Sequence, residues 1–148
     1  MAYASVFITT LLFLATASIA HAFSVNGIPI AQVIIPGRLY CAVGGNPASG
    51  AKGLARVGVF LSCDGGKTSL AQVVTNTNGL FQIVLAVLDG VAFDPSFCAI
   101  YVQLPVARCA VLPHTGCLQA SISVTGVVPS TLGFAANVTP GLFSVVSP

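Results

Sequence analysis

The chain has 148 residues, of which 5% are charged and 55% are hydrophobic, and its formal net charge is +2. An ordinary soluble domain has about 25% charged residues, so Ser, Thr, Asn, Gln and backbone groups must supply the polar surface here. The five Lys and Arg residues are scattered along the sequence without a basic run, and we therefore expect no nucleic-acid partner.

The N-terminal residues have the features of a secretory signal peptide. An apolar run over residues 6–15 matches the hydrophobic centre of such a signal, and Ala20-His21-Ala22 forms a small-x-small cleavage site. The alternative is a membrane anchor, but the run is shorter than the ~20 residues that a spanning helix needs. We expect a signal helix over residues 1–22, cleavage after Ala22, and a secreted domain over residues 23–148 without a transmembrane anchor.

The first strand of the mature chain is predicted over residues 32–43. The residues predicted to share its buried face are Ile35, Leu39, Cys41 and Val43. Pro36 and Gly37 place this strand at a sheet edge or at a bulge, because proline cannot donate a hydrogen bond to a neighbouring strand.

The stretch over residues 55–85 is the most regular part of the sequence. Apolar residues alternate with others over residues 57–63 and again over residues 81–85, which is the period of a strand with one buried face. Asp64-Gly65-Gly66 predicts a tight hairpin, and Asn78-Gly79 predicts a second turn. We expect a meander of strands here, with the rest of the chain arranged around it.

Two further strands are predicted over residues 98–104 and 118–125, and Asp94-Pro95 indicates a turn before the first of them. From Gly126 onward the sequence is interrupted by Gly and Pro, so we expect a Gly/Pro-rich C-terminal tail with one last strand at residues 143–146. No helical period follows the signal. We therefore expect one all-β domain of about seven strands, an antiparallel β-sandwich or barrel.

Five cysteines lie in the predicted domain, and three of them fall on the apolar faces of their strands. The positions are Cys41, Cys63, Cys98, Cys109 and Cys117. Inward cysteines of a secreted domain are usually bridged, although spacing alone does not decide which pairs form. Cys117 falls on the polar face of its strand. This position predicts a free thiol or a disulfide-linked homodimer, and the alternative is a thiol covered by a neighbouring loop.

Several motifs follow one another along the chain: Gly37-Arg38-Leu39-Tyr40-Cys41, the run from Ala55 to Cys63, the run from Thr75 to Phe81, and then Cys98 and Cys109. As a set they resemble the plant pollen-allergen-and-extensin family, to which the major olive pollen allergen belongs. Within that family the chain is most similar to the phylloplanins, secreted plant surface proteins associated with defence against microbes. The resemblance covers roughly residues 36–124.

This resemblance implies a disulfide-stabilised β-sandwich or barrel with the bridges Cys41–Cys109 and Cys63–Cys98. Members of the olive-allergen type have a further cysteine shortly after the first one, where this chain has Gly44-Gly45-Asn46. The third bridge of the family is therefore expected to be absent, and Cys117 has no partner in the family pattern.

The resemblance also implies a function, namely a defence protein of the plant surface that acts by contact with microbes. The alternative is a structural or glycan-interaction module of the cell wall, in which an exposed Tyr40 and Tyr101 would stack on sugars. A third possibility is that the barrel carries a small apolar ligand. The expected partners are therefore microbial surfaces or cell-wall components.

No motif predicts an enzyme, a metal site or a cofactor. His114 lies in a predicted loop and no Gly-x-Ser-x-Gly nucleophile motif is present. Asp64 and Asp94 are better explained as turn residues than as a glycosidase pair. Residues 65–68 (Gly-Gly-Lys-Thr) lack the spacing of a phosphate-binding loop.

Asn137-Val138-Thr139 is a sequon for N-glycosylation. Pro140 follows it directly and reduces its use, so an occupied and an unoccupied Asn137 both remain open.

Overall fold

The computed structural model describes residues 23–87 and 93–147. The predicted signal peptide, the cleavage site after Ala22 and Asp89 lie outside the described residues. Within the described part of the chain, no helical segment is long and apolar enough to cross a membrane.

Ten strands account for most of the regular structure in the described residues. They are β1 (Ser24–Val25), β2 (Ile28–Pro29), β3 (Gln32–Arg38), β4 (Gly58–Ser62), β5 (Ala71–Val74), β6 (Leu80–Ala86), β7 (Ala99–Gln103), β8 (Cys117–Ser130), β9 (Gly133–Pro140) and β10 (Ser144–Val146). Two short 3-10 turns lie at Val43–Gly45 and Pro95–Phe97. The all-β prediction is confirmed, with more strands than the seven or so that were expected.

Eight strands form one sheet in the order β5-β4-β7-β8-β9-β3-β6, with β10 added beside the start of β8. The long strand β8 serves both halves of the sheet, because its first part pairs with β7 and its second part with β9. The pairs are antiparallel except for β3 and β9, which run parallel. The end strands β5 and β6 follow one another in the chain, so the turn between them brings the two ends of the sheet together. The sheet therefore curls into a nearly closed barrel.

The Gly/Pro-rich C-terminal tail contains more strand than the one that was expected, since β8 runs through Gly126 and β9 follows it as a central strand. The sheet accommodates Gly126 at a β-bulge between Val124 and Gly126, and Pro140 is the last residue of β9. Ala136 and Val138 of β9 are fully buried. Glycine and proline therefore mark a bulge and a strand end here, and the predicted last strand is present as β10.

Strand β3 is shorter than expected, because the chain leaves the sheet after Arg38. Gly44 and Gly45 adopt positive φ angles of 70° and 77° and turn the chain, so Val43 is 83% exposed instead of buried. The prediction that Pro36 places this strand at a sheet edge or a bulge is wrong, because β3 lies between β9 and β6 and pairs with β6 in an unbroken register. The sheet tolerates Pro36 because β9 pairs with β3 only as far as Ile34, so Pro36 has a paired neighbour on one side alone.

The short hairpin of β1 and β2 was not predicted, although its turn carries a clear sequence signal. Asn26 and Gly27 both have positive φ angles, 51° and 80°, which is the geometry of a two-residue type I′ hairpin turn.

The barrel interior is filled by aliphatic side chains from alternate positions of its strands. The large side chains that are completely buried include Val33, Ile35, Leu39, Val59, Leu61, Ile83, Ile100, Val102, Leu118 and Val138. The alternation predicted for β4, β6, β7 and the first part of β8 is therefore confirmed. Burying side chains of this size stabilises the fold by roughly 1.5–3 kcal/mol each before the entropy of ordering them is subtracted.

Three backbone segments meet where β5 turns into β6, namely those at Leu39, at Gly53-Leu54 and at Asn78-Gly79. The Leu39 N–H donates to the Gly79 carbonyl (2.9 Å), and the Leu54 N–H donates to the Leu39 carbonyl (2.9 Å). A Cβ atom on Gly79, whose φ is +81°, would collide with the Leu39 carbonyl, and one on Gly53 would collide with the Asn78 carbonyl. Only glycine permits this approach at both positions. We call the contact of these three segments the backbone junction.

Thr75 secures the same region through its side chain. It is 3% exposed, and its hydroxyl donates to the Leu54 carbonyl (2.5 Å) and accepts from the Val57 N–H (2.9 Å). The Thr75 carbonyl accepts from the Arg56 N–H (3.0 Å). One buried residue thus fixes the segment that leads into β4, because buried polar backbone groups must find hydrogen-bond partners.

Thr75→Val should destabilise the fold by about 1–3 kcal/mol, because valine keeps the volume and leaves the buried Leu54 carbonyl and the partly buried Val57 N–H without their partner. Equilibrium denaturation of the purified protein measures this change. Thr77→Val is the control, since Thr77 is exposed in the same turn and should change stability by less than about 0.5 kcal/mol. Equal effects of the two substitutions would contradict the role given to the Thr75 hydroxyl.

Candidate functional site

Two disulfides hold the loops around the barrel. Cys41 is bonded to Cys109, with their Cα atoms 5.5 Å apart, and Cys63 is bonded to Cys98. These are the same two pairs that the family resemblance implies. The first bridge joins the segment after β3 to the loop after β7, and the second joins the end of β4 to the start of β7. They close sequence separations of 68 and 35 residues, which constrains the unfolded chain.

Cys117 is unpaired among the described residues and is partly exposed. It begins β8, between Gln103 of β7 and Val146 of β10, and it lies on the outer face because its neighbour Leu118 is completely buried. The structure therefore places the thiol on the predicted face, with partial cover from the flanking strands.

Tyr101 is not the exposed aromatic side chain that the sequence analysis expected. It is 6% exposed, its ring stacks on Phe60 of the neighbouring strand with ring centroids 5.5 Å apart, and Gly66 of the hairpin lies over it. The expectation failed because β7 is an inner strand that is covered on both faces. The same burial raises the pKa of the Tyr101 hydroxyl above its usual value. Tyr101 is therefore unable to stack on a sugar.

Tyr40 keeps part of its surface accessible. The Arg38 guanidinium carbon lies 4.8 Å from the centroid of the Tyr40 ring, within range of a cation–π interaction. The Arg38 Nε also donates to the Asn78 carbonyl (2.8 Å), which holds the guanidinium in place beside the backbone junction.

Two grooves flank the end of β3, where no strand pairs with it on the β9 side. The seam groove, about 750 Å³, lies between β5 and β6, and its lining includes Val73, Val74, Leu80 and Phe81. The tyrosine groove, about 400 Å³, lies between β3 and the connection from β9 to β10, and its lining includes Tyr40, Pro47, Leu142 and Phe143. The two grooves share the segment Pro36-Gly37-Arg38.

Phe81 forms the common floor of both grooves. Its ring occupies the place that a Cβ atom on Gly37 would need, so glycine at position 37 lets the ring cross over β3. Phe81 is 6% exposed and Gly37 is its partner across the two strands. Gly37, the first residue of the motif Gly37-Arg38-Leu39-Tyr40-Cys41, thus has a packing role.

Both described aspartates are turn residues, as predicted. The Asp64 carboxylate accepts hydrogen bonds from the Ser62 hydroxyl (2.7 Å) and the Thr68 N–H (2.8 Å), and these bonds lower its pKa to about 2. The Asp94 carboxylate accepts from the Ser96 hydroxyl (2.7 Å) and N–H (3.0 Å), which lower its pKa as well.

His114 is exposed in its loop. No group of three His, Cys, Asp or Glu side chains in residues 23–87 and 93–147 could hold a metal ion.

Asn137 lies in the middle of strand β9 and not in a loop. It is partly exposed, with Ile34 of β3 on one side and Gly126 of β8 on the other. Its neighbours Ala136 and Val138 are buried, so its side chain is on the outer face. Glycosylation of this sequon remains a prediction.

The grooves were not predicted, because they bring together residues that are far apart in the sequence. Pro36, Phe81 and Leu142 contribute to the same surface from three separate strands or connections. The only local signal was the glycine at position 37, and a glycine alone does not reveal which side chain will cover it.

Comparison with known families gives one match. The model of the Phylloplanin family, described as phylloplanin antifungal protein, matches residues 29–148. This range includes every strand from β3 to β10. No significant match was found among curated proteins or among solved structures.

Proposed function

We propose, because this chain belongs to the Phylloplanin family of antifungal proteins, that its mature form is secreted to the plant surface and inhibits fungi by direct contact, without catalysing a reaction. The family match over residues 29–148 is the observation that carries the proposal, since it covers the whole main sheet. Relationship to the wider pollen-allergen-and-extensin family is part of the same proposal.

The surface of the domain is consistent with action by contact. Several large apolar side chains project from turns and loops: Val43 is 83% exposed, Leu142 76%, Phe97 75% and Leu132 65%. Few charged groups surround them in a chain with 5% charged residues. Contact of such side chains with an apolar or lipid-rich surface removes them from water, which is favourable.

The described aspartates support a function without catalysis. The hydrogen bonds that Asp64 and Asp94 accept hold their carboxylates in turns, and hydrogen bonding to a carboxylate favours its charged form. Neither is a carboxylic acid with a raised pKa, which a glycosidase needs as its proton donor.

The purified mature protein should inhibit spore germination or growth of plant-pathogenic fungi at micromolar concentration. Reduced and alkylated protein should lose this activity, because the two disulfides maintain the folded surface. If the tyrosine groove takes part in contact, Leu142→Ser should weaken inhibition more than Leu132→Ser, because Leu142 lines that groove and Leu132, at the β8–β9 hairpin, does not. Absence of inhibition by the oxidised, folded protein across several pathogens would contradict the proposal.

A second candidate is a glycan-interaction module of the plant cell wall. Tyr40 favours it, because this partly exposed ring lies in the tyrosine groove beside Arg38 and Asn46. Tyr101 does not contribute, since it is buried.

We also propose that Cys117 links two copies of the mature protein under oxidising conditions. Its thiol is partly exposed and lies on the outer face beside strand β10. A fraction of the protein should then migrate as a dimer on a non-reducing gel, and Cys117→Ser should remove that band. The substitution should change the free energy of unfolding by less than about 0.5 kcal/mol. A purely monomeric protein, whose thiol reacts with an alkylating agent only after unfolding, would contradict this.

A further inference from the structure

Three of the five basic residues of this chain gather at one place on the surface. Lys52 and Arg108 line one groove of about 410 Å³, and Arg56 and Arg108 line an adjoining groove of about 400 Å³. Together these two form what we call the cationic groove. No Asp or Glu is among its lining residues in the part of the chain that the structure describes. These three basic residues are separated in the sequence but lie close together in the structure.

The backbone at or beside each of these three residues is fixed by a disulfide or a hydrogen bond. Arg108 precedes Cys109, whose disulfide partner Cys41 donates its N–H to the Lys52 carbonyl (2.8 Å). The Arg56 N–H donates to the Thr75 carbonyl (3.0 Å) next to the backbone junction. One disulfide and two backbone hydrogen bonds thus fix the positions from which the cationic side chains extend.

Both arginines have an unfavourable backbone conformation. The φ angle is 59° at Arg56 and 68° at Arg108, in the left-handed region that favours glycine. Among the described residues, the only other non-glycine residue with a positive φ is Asn26, which its hairpin turn requires. Backbone strain of this kind concentrates at binding sites, where the surrounding structure maintains it.

The chemistry of the lining indicates an anionic ligand. Lys52, Arg56 and Arg108 are all exposed, so their charged groups reach the solvent. Arginine presents a planar set of N–H donors that matches a carboxylate in two parallel hydrogen bonds. A ligand that spans both parts of the groove meets three positive charges, so a molecule with several negative charges along its length suits it.

The shape of the groove favours a linear polymer over a membrane. Its floor consists mainly of small residues, namely Ala51, Gly53, Ala55 and Ala107. None of the strongly exposed large apolar side chains lines it, so it offers no anchor for insertion into a bilayer. A polysaccharide chain that carries carboxylates at successive sugars fits these features.

We propose that the cationic groove binds a run of uronate residues in an acidic polysaccharide. The proposal rests on the extracellular location proposed above, where a secreted protein meets such polymers. It gives the glycan-interaction candidate a charged site that is separate from the tyrosine groove.

Calorimetric titration of the purified mature protein with an oligogalacturonate tests this directly. Binding is expected to the de-esterified oligomer and not to its fully methyl-esterified form, and it should weaken as salt is added. Arg56→Gln and Arg108→Gln should each weaken binding roughly two- to fivefold, and the double substitution more strongly. Arg56→Lys and Arg108→Lys keep the charge but lose the paired guanidinium hydrogen bonds, so they should weaken binding less than the glutamine variants do.

Lys67→Gln is the matched control, since it removes one exposed positive charge from another part of the surface. It should leave the affinity unchanged, and an equal loss in this control would overturn the proposal in favour of a net-charge effect. It would also be overturned by a folded protein that fails to bind oligogalacturonate, or that binds phosphatidylserine vesicles instead. Because this titration needs no fungus, its outcome is independent of the antifungal assay.

Discussion

The close approach of Gly79 to Leu39 and Gly53 is the constraint on which much of this structure depends. At this backbone junction the chain reverses from β5 into β6, the two ends of the main sheet. It therefore brings the ends of the sheet together, nearly closes the barrel and leaves the seam groove between them. The buried hydroxyl of Thr75 ties the same turn to the segment at Leu54 and Val57. The positions of Arg38 and Arg56 follow, because each donates a hydrogen bond to a carbonyl of this turn region.

A chain with so few charges must satisfy its polar groups in other ways. Short local hydrogen bonds in the turns do this, as Asp64, Asn76 and Asp94 show when they accept from backbone N–H groups of their own turns. In the described residues, every buried side-chain nitrogen and oxygen atom has a hydrogen-bond partner. Lys52, Arg56 and Arg108 are exposed, and these three basic side chains share one groove.

The sequence predicts the elements whose signal is local. The alternation through Val59 and Leu61, and the turn at Asn78-Gly79, identify β4 and the start of β6 because period and turn chemistry are properties of neighbouring residues. Strand β9 was missed because its glycine and proline residues occupy a hairpin and a strand end, and pattern alone does not separate these from a loop.

Tyr101 was misjudged because burial of the outer face of β7 depends on Phe60 and the hairpin above it. The cationic groove was invisible because Lys52 and Arg108 meet through a disulfide.

The most direct test of this account is the free energy of unfolding of Gly79→Ala compared with that of Gly50→Ala. Both glycines have positive φ angles, 81° and 74°, so both alanines carry a similar penalty of about 1–2 kcal/mol for the left-handed conformation. Space around Gly50 is open, whereas a Cβ atom at Gly79 collides with the backbone of Leu39. The account predicts that Gly79→Ala destabilises the protein by several kcal/mol more than Gly50→Ala, or prevents folding. Equal destabilisation by the two substitutions would contradict the role of the backbone junction.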